Sequence, residues 1–339
     1  MSMTGDTPIH PFPDRAIRQS LVYPDHLRSF LRQAVPDIAD RFVCEQARLL
    51  DREFATDDWR KRESDLLFEI PFRANDGVRL LLVCVLIEHQ SEPDPLMPLR
   101  TLLYAVFFWE RQWKDWEKAA PPKTALRLMP VVPLVLHTGP RRWGSNREFA
   151  DLFDAPDAVR AFAPKWQPLF WDLADHTAKE LIDAGEVSLN LMAVVRSEND
   201  AEGEFGPVFI EALRAINPLY NTDRTRWYDM LRTVITWAAW RRPGPEKQKW
   251  LETAKAHQPT PAQQTEVSTM AQTIRESWLE EGATHQMQRM ILRLGRKRLG
   301  DPRPTEEAAI IRIADLKALE SMMVQLESVE TWAELIPMS

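Results

Sequence analysis

Apolar and polar positions first fall into a helical rhythm. From Asp14 to Val35 the apolar residues Ile17, Leu21, Leu27, Phe30 and Leu31 recur at helix-like spacing around a break at Tyr23-Pro24-Asp25. This predicts an amphipathic helix that stops before Pro36. Phe42 to Phe54 fits either helix or strand. The rhythm then changes: the runs SDLLFEIPF and VRLLLVCVLIEHQ flank Asn75-Asp76-Gly77, a hairpin signal. The second run is apolar on both faces, as expected of a central strand covered on both sides. After a break from Pro93 to Pro98, helical spacing returns over Leu99 to Glu117, with Leu103, Val106, Phe107, Trp113 and Trp116 apolar and charges between them. LMPVVPLVLH, Leu128 to His137, reads as another strand, which Pro130 and Pro133 would place at an edge or a bulge.

Helix, strand, strand, helix, strand implies an α/β (α+β) protein, a mixed β-sheet flanked by helices. Beyond Gly139-Pro140-Arg141-Arg142-Trp143-Gly144, residues 146–240 read as mostly helical, with a strand candidate at Gln167 to Leu173 and a turn at 198–203. The stretch 241–265, containing RRPGPEKQ and HQPTPAQQ, is expected to be a linker. A small C-terminal helical domain over 266–339 should hold one helix from about Glu266 to Leu299. One or two more should follow Gly300-Asp301-Pro302, with Ile310, Ile311, Ile313, Leu316 and Leu319 apolar. That divides the chain into a main domain over 10–240, the linker and the helical domain.

Composition narrows the class. With 44% hydrophobic residues in 339, the chain has ample material for a core. A net charge of -7 argues against a generally basic nucleic-acid coat, so local patches have to be read separately. Cys44 and Cys84 form neither a metal spacing nor a disulfide framework, which fits a reducing cytoplasm. The N-terminus has no basic start followed by an apolar stretch, and Leu80 to Ile87 is too short to span a bilayer, so no export or membrane role is expected.

The chemistry centres on the hairpin. Counted across a two-residue Asp76-Gly77 loop, paired positions sum to 153, which sets Asp65 opposite Glu88. Two carboxylates about 5 Å apart repel by about 3 kcal/mol at an effective dielectric near 20, and a divalent cation between them would remove that cost. A three-residue loop would instead put the acids on opposite faces. Glu88 and Gln90 share a face in either case, while His89 points the other way. Taken alone, an opposed Asp and Glu is more often a surface ladder or a salt-bridge remnant than a metal site. His89, His137 and the tryptophans at 109, 113 and 116 read as core-packing residues rather than as a catalytic base or a base-stacking platform.

The segments LLDREFATDDWRKRESDLLFEI, VCVLIEHQSEPDPLMPLRTLLYAVFFWERQW, LMPVVPLVLHTGPRRW and FADLFDAP resemble the recombination-promoting nuclease (Rpn), or YhgA-like transposase, family, a bacterial branch of the PD-(D/E)XK nuclease superfamily. The resemblance implies a restriction-endonuclease-like core, with Asp65, Glu88 and the His89 backbone carbonyl holding Mg²⁺ or Mn²⁺ and Gln90 where many relatives carry lysine. It implies auxiliary roles for Asp14, although Pro13 stands where histidine is usual, and for Arg100 and Tyr104. The implied activity is metal-dependent endonucleolytic hydrolysis of DNA, linked to recombination or mobile elements. The alternative is an inactive nuclease-fold module that binds nucleic acid or protein. A third reading, an acid/base pair acting on sugars, has no substrate-groove signal behind it.

DNA would need cations outside the acidic pocket. Candidates are Arg60, Lys61 and Arg62, Arg141 and Arg142, and the C-terminal group Arg289, Arg293, Arg296, Lys297 and Arg298, which could equally be a solvated helix end. Apolar faces in the C-terminal domain make homo-oligomerisation a further expectation.

Overall fold

A computed structural model describes residues 12–50, 66–88, 94–119, 125–144, 148–154, 156–160 and 162–336. The chain divides into two compact units, Met1–Gln258 and Pro259–Ser339. The first unit opens with two short helices, α1 (Phe12–Leu21) and α2 (Pro24–Ala34), broken where Pro24 starts α2 at its first position. Then come β1 (Arg48–Leu49), β2 (Leu66–Ala74), β3 (Gly77–Glu88), α3 (Met97–Lys118), β4 (Val131–His137) and β5 (Leu169–Asp172). The five strands form one sheet in the order β1-β2-β3-β4-β5. Pairing is antiparallel through β3 and parallel from β3 to β5, so the sheet is mixed and the apolar β3 is its central strand.

The hairpin register differs from the sequence expectation. Leu66 pairs with Val85 and Ala74 with Gly77, a sum of 151. The loop is therefore Asn75-Asp76, and Gly77, with φ 132°, already belongs to the ladder. Arg41 explains the choice, because its guanidinium donates to the Arg73 carbonyl at 2.8 Å and to Asn75 Oδ1 at 2.7 Å, clamping the residues before Asp76. A shift of two preserves the facing of every paired residue, and Asp65 itself lies outside the described residues.

Pro133 also departs from expectation. β4 is not an edge strand, since it lies between β3 and β5. However, the β5 ladder starts only at Leu134↔Leu169. Pro133 pairs with Cys84 on the β3 side alone, so its missing N–H costs the sheet no ladder bond on the other.

Each face of the sheet is covered. On one, Leu67, Leu82, Val135 and Phe170 pack with Met97, Tyr104 and Phe108 of α3 and with Trp143. On the other, α2 supplies Phe30, edge-to-face on Trp171 at 5.6 Å, and α1 contributes the buried Ile17 and Leu21. Trp109 and Trp113 separate: Trp109 is tied to the Met129 carbonyl at 2.8 Å, whereas Trp113 is 46% exposed and is not core.

A helical half completes the unit: α4 (Ala178–Asp183), α5 (Val187–Arg196), α6 (Glu202–Ile216), α7 (Arg224–Arg241) and α8 (Lys247–Ala256). The stretch expected to be a linker is thus partly folded structure. Trp250, Leu251 and Ala254 of α8 are buried, with Trp250 edge-to-face on Phe205 at 4.8 Å. Its low apolar content hid this, because a few large side chains provide the contact. Arg241 and Arg242 bracket a buried acid, Glu198. Arg241 donates to both Glu198 carboxylate oxygens at 2.9 and 2.7 Å, and Arg242 donates to the Glu198 carbonyl at 2.8 Å.

The second unit holds α9 (Pro261–Leu299), α10 (Pro304–Ile311), α11 (Leu316–Gln325) and α12 (Trp332–Leu335). Ile291, Leu292, Ile310, Leu319, Met322 and Trp332 form its core. Gly295 is required there, because a Cβ would enter the Trp332 ring. Among the described residues no helix is long and apolar enough to cross a membrane.

Candidate active site at the carboxyl ends of the parallel strands

Three parallel strands end level with one another. The register pairs Glu88 of β3 with His137 of β4, and His137 with Asp172 of β5. Strands spaced by about 4.8 Å put the outer two backbone positions of this row roughly 10 Å apart. The row belongs to the α3 side of the sheet, since residues of the same parity, Leu82, Val135 and Phe170, pack there with Tyr104. Open α/β sheets bind ligands beyond the carboxyl ends of their parallel strands, which is where this row lies.

The chemistry of the row is uneven. His137 is fully buried, and its Nε2 bonds to the Arg141 carbonyl at 2.8 Å. Its Nδ1 has no hydrogen-bond partner among the described residues. The ring stands edge-to-face on Trp143 at 5.1 Å. Asp172 is buried too, but occupied: one oxygen accepts the Ala174 N–H at 3.0 Å and the other the Trp143 N–H. Together His137 and Asp172 fasten the loop after β4 to the ends of β4 and β5. Sequence reading treated His137 as a core histidine and did not single out Asp172. The only signal was a polar residue closing each apolar strand, which has no meaning until the strands are known to be parallel neighbours.

On α3, Arg100 and Tyr104 share the buried face, as their four-residue spacing allows. Arg100 is more than an intrahelical contact, because its guanidinium reaches back to Asp94 Oδ2 at 3.5 Å and lies against the Met97 sulfur at 3.2 Å. Asp94 is itself held by the Leu96 N–H at 2.9 Å. Tyr104 is fully buried in the cluster under the row.

The other expected site residues fare differently. Asp65, His89, Gln90, Arg60, Lys61 and Arg62 lie outside the described residues. Glu88 contributes its backbone position as the last residue of β3, and Asp14 lies in the first turn of α1. Arg142 is exposed and ion-paired with Asp175 at 2.7 Å. Arg141 is exposed, with its carbonyl engaged by His137. Among the described residues no three His, Cys, Asp or Glu side chains form a metal-holding group. Asp172 and His137 already serve backbone partners, so the described side chains alone do not fit a divalent cation.

The fold and site define an α/β protein with an open mixed sheet and a polar row where its parallel strands end. More particularly, the chain belongs to the family described as "Putative transposase, YhgA-like", which matches residues 11–220 and so covers the whole sheet. It is 28% identical over 129 residues to recombination-promoting nuclease RpnD of Escherichia coli O157:H7, covering 38% of this chain and 45% of RpnD. The chain therefore spans less than half of RpnD's length. It is 30% identical over 94 residues to the protein named "Putative inactive recombination-promoting nuclease-like protein YjiP" of Escherichia coli strain K12, covering 27% of this chain and 87% of YjiP. No solved structure matches.

Proposed function

We propose that this chain is a nuclease with a restriction-endonuclease-like core that hydrolyses DNA internally, in a recombination or mobile-element setting. The observation that carries the reading is the register placing Glu88 at the carboxyl end of the central strand, level with His137 and Asp172, in a chain similar to a named recombination-promoting nuclease. Asp65 lies outside the described residues, immediately before β2 in the chain, and the reading assigns it a place beside Glu88.

In this reading Asp65, Glu88 and the His89 carbonyl would hold Mg²⁺ or Mn²⁺, which supplies charge neutralisation and a water acidic enough to attack at neutral pH. The protein's own contributions are positional. Gln90 hydrogen-bonds and orients the attacking water but brings no charge. Hydrolysis forms a bond from the water oxygen to phosphorus and breaks the phosphorus bond to the departing oxygen, which takes up a proton. Arg100, fixed by Asp94 and buried, supplies a positive field where lysine is absent, and Tyr104 below it fills the wall. Asp14, in the first turn of α1, is assigned a supporting place.

A second reading keeps the fold and loses turnover. It is favoured by the tying of His137 and Asp172 to the loop and by the similarity to YjiP, whose name includes "inactive".

Supercoiled plasmid incubated with the full chain and Mg²⁺, Mn²⁺, Ca²⁺ or chelator separates the two. Nicked or linear DNA with Mg²⁺ or Mn²⁺, reduced by about 100-fold or more in folded Asp65→Ala and Glu88→Ala variants, is the expected result. Binding without cutting in every metal, or cutting that survives both substitutions, overturns the nuclease reading.

A further inference from the structure

The second unit sorts its cations into two kinds. No acid lies between Glu281 and Asp301, while Arg289, Arg293, Arg296, Lys297 and Arg298 fall within that stretch. Two of the five are used internally. Arg296 pairs with Glu307 at 2.8 Å and approaches Asp301 at 3.7 Å, and Arg298 donates to the Leu326 carbonyl. Arg289, Arg293 and Lys297 are exposed and, among the described residues, meet no carboxylate.

These three are four residues apart on α9, so they form one ridge with about 6 Å of rise between neighbours. Its outward direction is fixed by the opposite side of the helix, where Ile291 and Leu292 are buried and Gly295 lies against Trp332. Three like charges at this spacing weaken a helix, and no acid on α9 offsets them. The bland explanation, cations answering the helix dipole, applies to the last turn and so covers Lys297 but neither Arg289 nor Arg293.

We propose that the Arg289–Arg293–Lys297 ridge binds the phosphate backbone of duplex DNA, positioning it without reading its sequence. Charge complementarity carries the choice: duplex DNA presents one negative charge per about 1.7 Å, and a row of unpaired cations displaces its condensed counterions. A lipid surface is less well matched, because among the described residues the ridge is flanked by just two partly exposed apolar side chains, Met290 and Leu294, at 42% and 40%. The choice of DNA rests on the nuclease reading, but the ridge does not take part in the chemistry.

The test is fluorescence anisotropy of the full chain with a short duplex in chelator, across a salt series, beside the triple variant Arg289→Gln, Arg293→Gln, Lys297→Gln. Each lost phosphate contact removes about 0.9 from the slope of log K against log salt, so the slope should fall by about two to three. Circular dichroism should be unchanged at these exposed positions, and thermal unfolding should be unchanged or slightly raised because like charges are removed. An unchanged slope in the folded triple variant overturns the ridge, as does loss of binding to phosphatidylserine vesicles with DNA binding intact. Wild-type cutting with an unchanged slope in the variant sinks the ridge and spares the nuclease. A reduced slope with no cutting by wild type does the reverse.

Discussion

At the carboxyl ends of β3, β4 and β5, the buried His137 keeps an Nδ1 without a partner among the described residues, whereas in the helical half the buried Glu198 is answered on every side. Its carboxylate accepts from Trp237 Nε1 at 3.0 Å and twice from Arg241. Arg242 ties the Glu198 and Asp200 carbonyls to Glu246 and lies over Phe205. The guanidinium of Arg241 is made more basic by its hydrogen bond to Glu198. Both regions bury polar groups, yet the Glu198 carboxylate is fully engaged while His137 Nδ1 has no partner among the described residues. A buried network with every member paired holds a fold together, whereas a buried polar atom left open lowers the stability of the place that holds it.

The contrast can be broken most severely at Glu198. Glu198→Ala removes the carboxylate that Arg241 and Trp237 share while keeping the carbonyl that Arg242 uses, and should cost about 3 kcal/mol, at the low end for a buried pair because Arg241 can reach water. Chemical denaturation measures it, and a loss below about 1 kcal/mol would mean that the network is not structural.

Acid sharpens the same point at α2, where a second buried histidine is built for neutrality. Burial, followed by the charge of Arg226, lowers the pKa of His26 from 6.5 to about 4. The unfolded chain therefore binds a proton below pH 6.5 that the folded chain refuses until about pH 4. Stability is retained above that window and falls as pH drops through it, by roughly 2–3 kcal/mol from this group. Comparing pH-dependent denaturation of wild type and His26→Leu isolates the contribution, and parallel curves would refute it.

The smallest effect is expected at Asp172. Asp172→Asn leaves one acceptor oxygen for the Trp143 and Ala174 N–H groups, and should cost about 1 kcal/mol by the same assay. A neutral result would show that Asp172 does not hold the loop after β4.

Much of the sheet was legible from pattern alone. The double-sided apolar run at residues 78–87 lies within the central strand β3, and the apolar stretch ending at His137 became β4, because burial on both faces leaves no polar alternation. α3 followed from its helical spacing of large side chains. The C-terminal cations were visible as a group, but which of them are engaged was not, since Glu307 and Leu326 come from other helices.

By itself the sequence determined where β2, β3, β4 and α3 form, because the period of apolar side chains along the backbone is a local property. Only the tertiary structure decided that the hairpin turns at Asn75-Asp76, where Arg41 reaches across to clamp it. It also decided that 241–258 folds against the helical half, and that Glu88, His137 and Asp172 end level in one row. Each of these depends on partners far apart in the chain, and their spacing in sequence carries no record of the register that joins them.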